Sequence, residues 1–195
     1  MAEVKKEASV RKPEKFILDA TAGHRMMWFD KNNPYTIYMD IDDDEELRSR
    51  YDSAEKQARK PHYYQPWLPL NPTLKGDFRK LDFPDNSFYL IVFDPPHLTW
   101  LGKNSIFKKK FGQLETETWP DDIKKGAKEL WRVLKPYGVL VFKWNTHDIP
   151  YQKVLKLFPE MPLFGQISAG SSSKFQKIRG HTCWFTFLKM PKEEG

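Results

Sequence analysis

The segment Asp94-Pro95-Pro96-His97 combines residue types that can do chemistry on an amine. A carboxylate and a backbone carbonyl both accept N–H hydrogen bonds, so Asp94 and Pro95 can together hold an amino group. The two prolines fix φ and keep those acceptors in place. His97 can stack on an aromatic ring, and it can also take or give a proton near neutral pH. The segment therefore predicts a site that binds a nitrogen nucleophile.

A carboxylate follows each of four short segments in succession, at Asp19, Asp40, Asp77 and Asp94. In open α/β sheets, ligands bind beyond the C-terminal ends of the strands. Because an unpaired buried charge is costly, four such acids are hard to explain as core packing, whereas hydrogen bonds to a polar ligand would account for them. The pattern predicts a nucleoside site.

The first of these acids opens a segment, Asp19-Ala20-Thr21-Ala22-Gly23-His24, that resembles the first motif of the class I S-adenosylmethionine-dependent methyltransferases. The resemblance runs in order from residue 15 to about residue 145. It implies that this turn lies under the methionine part of the cofactor, where Gly23 lets the backbone approach and the N-terminus of a following helix favours the carboxylate. Arg25 stands where the family usually has another glycine.

The same resemblance implies S-adenosylmethionine as the cofactor and assigns further contacts to it. Asp40 is implied to accept hydrogen bonds from both ribose hydroxyls, with Asp42 as the alternative. Asp77 is implied to contact the adenine amine, and the adjacent Phe78 its ring. The full set of expected cofactor contacts is Asp19, Ala20, Thr21, Gly23, Asp40, Ile41, Asp77, Phe78 and Asp94.

The strand-like run that ends in Asp94-Pro95-Pro96-His97 resembles the fourth motif of the amino-methyltransferases, an acid or Asn, two prolines and an aromatic. The resemblance implies that these four residues are catalytic. An exocyclic amine on an aromatic base is a poor nucleophile, and acceptors at Asp94 and Pro95 would shift charge toward its nitrogen. His97 replaces the usual aromatic, so a ring nitrogen or another acceptor stays open as the target.

Lysines and aromatic residues alternate in the segment between His97 and Trp119, which we expect to be a long loop. A loop of this length beside a reaction centre is usually a lid or a substrate-binding segment, and this composition suits phosphate contact with base stacking. A solvated charged face is the alternative. We expect substrate contacts from Lys103, Lys108, Lys109 and Lys110, and from Lys143 at the end of a later strand.

The elements that must position these residues are predicted from apolar patterning. Buried strands are expected at 16–20, 36–41, 89–94 and 137–144, and helices at 43–59 and 119–137. Two further strands, 163–170 and 181–189, suggest a C-terminal antiparallel hairpin. The sequence thus predicts an α/β fold, a Rossmann-like, doubly wound and mainly parallel sheet with that hairpin. We expect a flexible arm at residues 1–14 and one methyltransferase domain at 15–195.

Composition narrows the function classes. The 195 residues include a single cysteine, Cys183, and no Cys/His cluster at ligand spacing, so we expect neither a disulfide nor a metal. The absence of a long apolar run predicts a soluble, cytoplasmic protein that does not enter membranes. The net charge of +6 favours a polyanionic partner.

Together these observations predict an S-adenosylmethionine-dependent N-methyltransferase that acts on a nucleobase nitrogen of RNA or DNA. After a methyltransferase core is counted, little chain is left for target recognition, so we expect RNA or single strands more than duplex DNA. A protein partner is the candidate source of target recognition. The alternatives are methylation of a small molecule or protein side chain, and a catalytically silent nucleic-acid-binding subunit. A dinucleotide oxidoreductase is disfavoured because no Gly-x-Gly-x-x-Gly turn occurs near Gly23.

Overall fold

The computed structural model describes residues 14–55, 72–167 and 181–191. In these ranges the strands are β1 (Ile17–Asp19), β2 (Thr36–Asp40), β3 (Leu74–Lys75), β4 (Phe88–Phe93), β5 (Leu134–Asn145), β6 (Phe164–Ile167) and β7 (Thr182–Leu188). The helices are α1 (Asp44–Glu55), α2 (Ile106–Phe111), α3 (Trp119–Val133) and α4 (Tyr151–Leu155).

All seven strands form one sheet in the order β3-β2-β1-β4-β5-β7-β6. The strands β1 to β5 pair in parallel, whereas β7 is antiparallel to both β5 and β6. This confirms the predicted α/β fold, including the C-terminal antiparallel pair. Because β1 lies between β2 and β4, the chain leaves β1 in one direction and returns on its other side. That reversal marks the edge where ligands bind in open α/β sheets.

A large buried apolar cluster lies on one face of this sheet. Alternate side chains of the central strands, such as Ile91, Phe142 and Phe187, are fully buried there. The rings of Phe93 and Phe142 are stacked with centroids 5.6 Å apart, and Phe158 packs on Phe142 at 4.8 Å. Burial of each such side chain is worth roughly 1.5 to 3 kcal/mol, so this face fixes the sheet that carries the strand ends.

The helix predicted between Trp119 and Tyr137, with Pro136-Tyr137-Gly138 as its stop signal, is α3, which ends at Val133, and β5 begins directly after it. The ammonium of Lys189, which follows β7, donates to the carbonyls of Trp131 at 2.7 Å and Leu134 at 2.5 Å. A cation at the last carbonyls of a helix satisfies groups that have no intrahelical partner. The helix ends before Pro136, which cannot continue it, and the Lys189 contact joins this end to a distant part of the chain.

The prediction of a helix after Gly23 is wrong, because the chain crosses from β1 to β2 through turns alone. Gly23 and Arg25 both have positive φ, at 46° and 53°, which a helix does not accept. Further on, the Asp30 carboxylate accepts the N–H of Asn32, and the Asn33 amide oxygen accepts that of Tyr35. Such side-chain turns compete with helix formation.

The segment between His97 and Trp119, predicted as a loop, contains the helix α2. Its N-cap is Ser105, whose hydroxyl accepts the N–H of Lys108 at 3.4 Å, and it ends at Gly112 with a φ of 72°. These are standard N-terminal and C-terminal signals. The loop interpretation was therefore wrong for the six residues in the middle.

The predicted helix at 43–59 is α1, which begins at Asp44 and is described as far as Glu55. A capping box starts it, because Asp43 accepts the N–H of Glu46 while the Glu46 carboxylate accepts the N–H of Asp43. No helix in the described residues is long and apolar enough to cross a membrane. Residues 1–13 of the predicted arm and residues 168–170 of the predicted strand 163–170 lie outside the described residues.

Candidate active site

Four predicted acids lie at the C-terminal edge of the sheet. Asp19 and Asp40 are the last residues of β1 and β2, and Asp94 follows β4 directly. Asp77 comes two residues after the end of β3. The charges of Asp40 and Asp94 both raise the pKa of Asp19, so these three carboxylates lie near enough to influence one another. The structure therefore brings the central part of the predicted site together.

Asp40 holds the loop that follows β1. Its Oδ2 accepts the backbone N–H of Gly23 at 2.8 Å, and its Oδ1 accepts that of Asp42 at 3.4 Å. Burial raises the pKa of Asp40, and these hydrogen bonds oppose the rise. The positive φ of Gly23 lets its N–H turn toward the carboxylate. The predicted ribose acid and the predicted glycine loop are thus in direct contact.

Asp19 is the most deeply buried of these acids, with a side chain enclosed at the end of β1. The indole of Trp28 donates to its Oδ2 at 2.6 Å, and the N–H of Thr21 donates to its Oδ1 at 3.3 Å. Burial raises the pKa of Asp19 to about 7, although both hydrogen bonds lower it. Its two oxygens fix the loop over the sheet edge, and a direct contact to a cofactor stays a prediction.

Arg25 stands where the first motif of the methyltransferases usually has a glycine, and it has contacts that a glycine could not make. It keeps the left-handed backbone that glycine would favour, with a φ of 53°. Its buried guanidinium lies 3.7 Å from the centre of the Tyr38 ring and donates to the carbonyl of Lys31 at 2.6 Å and the hydroxyl of Thr73 at 3.1 Å. One side chain therefore ties the loop to β2 and to the start of β3. No pattern in the sequence indicated this role.

Thr21 connects the two halves of the site, which are the residues after β1 and β2 and the residues after β4. The hydroxyl oxygen of Thr21 accepts the backbone N–H of Asp94 at 2.8 Å. Its neighbour Ala20 is buried and donates its N–H to the carbonyl of Val92 at 3.0 Å. The loop after β1 and the Asp-Pro-Pro segment after β4 are consequently held at a fixed separation. This is the arrangement that transfer of a group between two neighbouring ligands requires.

Asp94 forms an ion pair with Lys143, the predicted substrate contact near the end of β5. The Lys143 Nζ donates to Asp94 Oδ2 at 2.5 Å. The side chains are 29% and 24% exposed, so the pair faces the rim without being fully solvated. The sequence singled out both residues but not their contact.

His97 lies partly buried next to the end of β5, with its ring edge-on to the indole of Trp144 at a centroid distance of 6.2 Å. Burial lowers its pKa, the charge of Lys143 lowers it further, and the charge of Asp94 opposes this. The lowered pKa favours the neutral imidazole. A neutral ring suits stacking on a base and also suits accepting a proton, so the geometry keeps both predicted roles open.

Asp77 and Phe78 are engaged by the protein itself. Burial would raise the pKa of Asp77, but hydrogen bonds from the Arg79 guanidinium hold it below its usual value, and Arg79 also pairs with Asp122 of α3. The ring of Phe78 packs edge-on against Phe93 with centroids 5.1 Å apart. The predicted adenine contacts of this pair stay predictions. Ile41, next to Asp40, is 52% exposed and is open to a ligand.

The lysine run lies on α2, which packs beside the loop after β1. Arg50 of α1 donates to the carbonyls of Lys109 at 3.0 Å and Lys110 at 3.4 Å, and it also pairs with Asp42. A Cβ on Gly112 would lie 3.4 Å from a ring carbon of Pro96. The helix therefore extends from α1 to the Asp-Pro-Pro segment, which places Lys108, Lys109 and Lys110 next to the site. Lys103 is exposed just before it.

Basic residues, including Lys110 of α2, influence the pKa of the nearby His24. Burial lowers its pKa to about 4, and the charges of Arg50, Lys110 and Lys31 contribute.

The two residues that sequence reasoning missed most clearly are Arg50 and Trp28. Arg50 had no signal, because arginine on a polar helix is ordinary. Trp28 had a weak one, because it is a tryptophan in a short segment close to Gly23.

Solved structures with a similar fold come from proteins of several activities. An S-adenosylmethionine-dependent methyltransferase of Methanosarcina mazei has a TM-score of 0.52 at 12% identity, covering 92% of this chain and 94% of that one. The Burkholderia thailandensis 1,6-didemethyltoxoflavin-N1-methyltransferase, solved with its substrate and S-adenosylhomocysteine, gives 0.52 at 13%, covering 91% and 72%. The [4+2]-cyclase SpnF gives 0.54 at 11%, covering 94% and 77%.

Neither a protein-family model nor a curated protein sequence matches this chain. At these identities the structural matches show the fold alone, and a cyclase among them shows that this fold supports more than one chemistry. Function must therefore be argued from the site. The chain has the Rossmann-like fold found in S-adenosylmethionine-dependent methyltransferases.

Proposed function

We propose that this protein is an S-adenosylmethionine-dependent N-methyltransferase that acts on a nucleobase nitrogen of RNA or DNA. One observation carries the proposal. The Asp94-Pro95-Pro96 segment leaves the sheet at its reversal point, and its first N–H is bound by Thr21 of the predicted cofactor loop. Methyl donor and methyl acceptor would thus bind on neighbouring strand ends.

The residues after β1 and β2 fit the cofactor. S-adenosylmethionine carries an ammonium group, a sulfonium and two ribose hydroxyls, and Asp19 and Asp40 supply carboxylates within mutual electrostatic reach. Asp40 would hold the hydroxyls, and the Gly23 loop would lie beneath the methionine part. When bound, the cofactor supplies a methyl group on a positively charged sulfur. The exposed Ile41 would cover an apolar part of the nucleoside.

The chain's own residues prepare the acceptor nitrogen. Asp94 and the carbonyl of Pro95 accept hydrogen bonds from the N–H groups of this nitrogen. These bonds orient the lone pair of the nitrogen and increase the negative charge on it. The neutral His97 provides a ring to stack on the base. The proton released by the nitrogen passes to Asp94, to His97 or to water.

A nucleic acid substrate is supported by charge and by exposed aromatic residues beside the site. The net charge is +6, and Lys108, Lys109 and Lys110 stand on α2. Trp100 and Phe107 are 83% and 61% exposed on the same segment. Lysines that contact phosphates and rings that stack on bases are typical of single-strand binding. We therefore favour RNA or single strands over duplex DNA, and a protein partner remains part of the proposal.

The test is transfer of labelled methyl from S-adenosylmethionine to total RNA, genomic DNA and cell-extract protein in parallel. The account predicts label in one nucleoside after digestion, in RNA or DNA. Label in protein alone would replace the nucleobase with a side chain. If the chain bound the cofactor and transferred to none of the three, a small-molecule substrate would replace it. Failure to bind the cofactor would support the catalytically silent subunit.

A further inference from the structure

The ion pair between Lys143 and Asp94 lies where the proposed function requires the target amine. The Lys143 ammonium donates to Asp94 Oδ2 at 2.5 Å, and the target N–H must reach that same carboxylate. A target amine that binds to Oδ2 therefore competes with a charged donor. A substrate that offered only N–H groups would displace Lys143 and leave its charge without a partner at a partly buried position, which is costly.

The structure keeps Lys143 beside Asp94 from both sides. In the sheet, Phe93 of β4 pairs with Phe142 of β5, so the residues that follow them lie next to each other. On its other side, Lys143 pairs in register with Trp184 of β7, and its Nζ lies 5.8 Å from the centre of that ring. The ammonium is thus held at the rim, one hydrogen bond away from the proposed acceptor of the target N–H.

We infer that Lys143 is a specificity-determining residue that donates to an acceptor atom adjacent to the target amine, an inference that rests on the proposed function. The pair presents an N–H acceptor and an N–H donor side by side. Adenine and cytosine match it, because the exocyclic amine of each lies next to an unprotonated ring nitrogen, N1 or N3. On its pairing edge, guanine places an N–H next to its amine and would meet Lys143 with a second donor.

The geometry also explains how the lysine leaves Asp94 without loss. When the amine of the base binds to the carboxylate, the ring nitrogen takes over the ammonium, so both charged groups keep a hydrogen bond. Sites that hydrogen-bond a substrate atom reject analogues that lack the atom, because the buried group of the protein is then unpaired. Removal of the ring nitrogen from the substrate should therefore matter only while Lys143 is present.

The test compares single-stranded oligonucleotides that carry adenine or 1-deazaadenine, and cytosine or 3-deazacytosine, as methyl acceptors. For the wild-type protein we expect kcat/KM to be about 10- to 100-fold lower for the deaza form of whichever base is methylated. The Lys143→Met variant, which keeps the side-chain length, should treat the two forms alike to within about threefold. Lys124→Met, at an exposed position on α3, is the matched control and should keep the wild-type ratio.

Because the deaza bases also differ in intrinsic reactivity, the change in this ratio between wild type and Lys143→Met is the decisive quantity. An unchanged ratio would overturn the inference and leave the proposed function standing. If Lys143→Met does not fold, Lys143→Arg must preserve the discrimination, and its loss there would also overturn the inference. Absence of transfer to all four oligonucleotides, with transfer to a guanine or uracil oligonucleotide, would overturn this inference alone, whereas absence of transfer to every base would remove the proposed function as well.

Discussion

The two halves of the site use carboxylates in different ways. After β1 and β2, Asp19 and Asp40 are mostly buried and accept hydrogen bonds from Trp28 and from the backbone of Gly23. After β4, Asp94 is partly exposed and faces the charged Lys143. Neutral donors that belong to the fold make the first half a structural cradle. A charged donor on a long side chain makes the second half exchangeable, as the proposed substrate site requires.

The two halves differ in how readily a ligand could replace the hydrogen-bond partners of their carboxylates. Burial raises the pKa of both Asp19 and Asp40, so the first half tolerates a cationic ligand especially well once its acids are ionised. The second half holds its acceptor ready through an ion pair that a base can replace. Thr21 keeps the halves at a constant distance through its bond to Asp94.

The largest expected effect comes from the second half. Asp94→Ala removes the proposed acceptor of the target N–H, and transfer should fall by about 10³-fold or more. A radiometric single-turnover assay on an oligonucleotide substrate measures it. Asp148→Ala, which removes a rim carboxylate that binds Thr99, is the control and should cost much less. Transfer by Asp94→Ala within tenfold of wild type would contradict the assignment.

In the first half, Asp19→Asn should change how stability depends on pH. The pKa of Asp19 is raised from 3.8 to about 7, so the folded protein binds a proton that the unfolded chain has lost. The stabilising contribution of this carboxyl to the free energy of unfolding is therefore complete below about pH 4. It is lost as the pH rises through 7, by about 3 to 4 kcal/mol. Asparagine keeps the acceptor for Trp28 and removes this loss.

Denaturant titrations of both proteins between pH 4 and pH 8 provide the measurement. His24 titrates in the opposite sense, because its pKa is lowered to about 4, so only the difference between variant and wild type isolates Asp19. Parallel curves for the two proteins would show that Asp19 is ionised throughout. In that case the first half would be a charged site like the second.

A smaller effect is expected at Phe78, beside the first half of the site. A Cβ on Gly126 of α3 would lie 2.4 Å from Cδ2 of Phe78, so Gly126→Ala should lower the free energy of unfolding by about 1 to 3 kcal/mol. Phe78→Leu in the same chain should recover part of it. Full stability of Gly126→Ala would mean that the Phe78 ring moves readily and is available to adenine after all.

The smallest effect concerns α2. Replacing Lys108, Lys109 and Lys110 by glutamine should reduce the slope of log affinity against log salt for a single-stranded oligonucleotide by about 2. The matched control replaces three exposed lysines of α3, namely Lys124, Lys125 and Lys128. If both triple variants changed the slope equally, general basicity would explain binding and α2 would leave the interface.

Local sequence patterns predicted most of the strands and helices. The apolar runs predicted the strands, and the acid after each run was predictable because parallel strands end at one edge. The Asp-Pro-Pro segment and Lys143 were found for the same reason. The predicted helix after Gly23 failed because the family resemblance outweighed the turn-forming residues between Asp30 and Pro34, which were visible in the sequence.

Contacts between distant residues account for the rest. Lys189 binds the end of α3 from more than fifty residues away, as its separation of 58 from Trp131 shows. Arg25 reaches Thr73, and Lys143 reaches Asp94, across separations of 48 and 49 residues. No local pattern reports such pairs, because a side chain's partner depends on the packed sheet. The site's residue types were predictable, and their mutual engagement was not.

The most direct test of the division between the two halves is a calorimetric titration of S-adenosylmethionine into the wild-type, Asp40→Ala and Asp94→Ala proteins. The account predicts that Asp94→Ala binds the cofactor within about threefold of wild type, whereas Asp40→Ala loses at least about tenfold. Equal loss in both variants would contradict it, since Asp94 would then hold the cofactor and not the target amine.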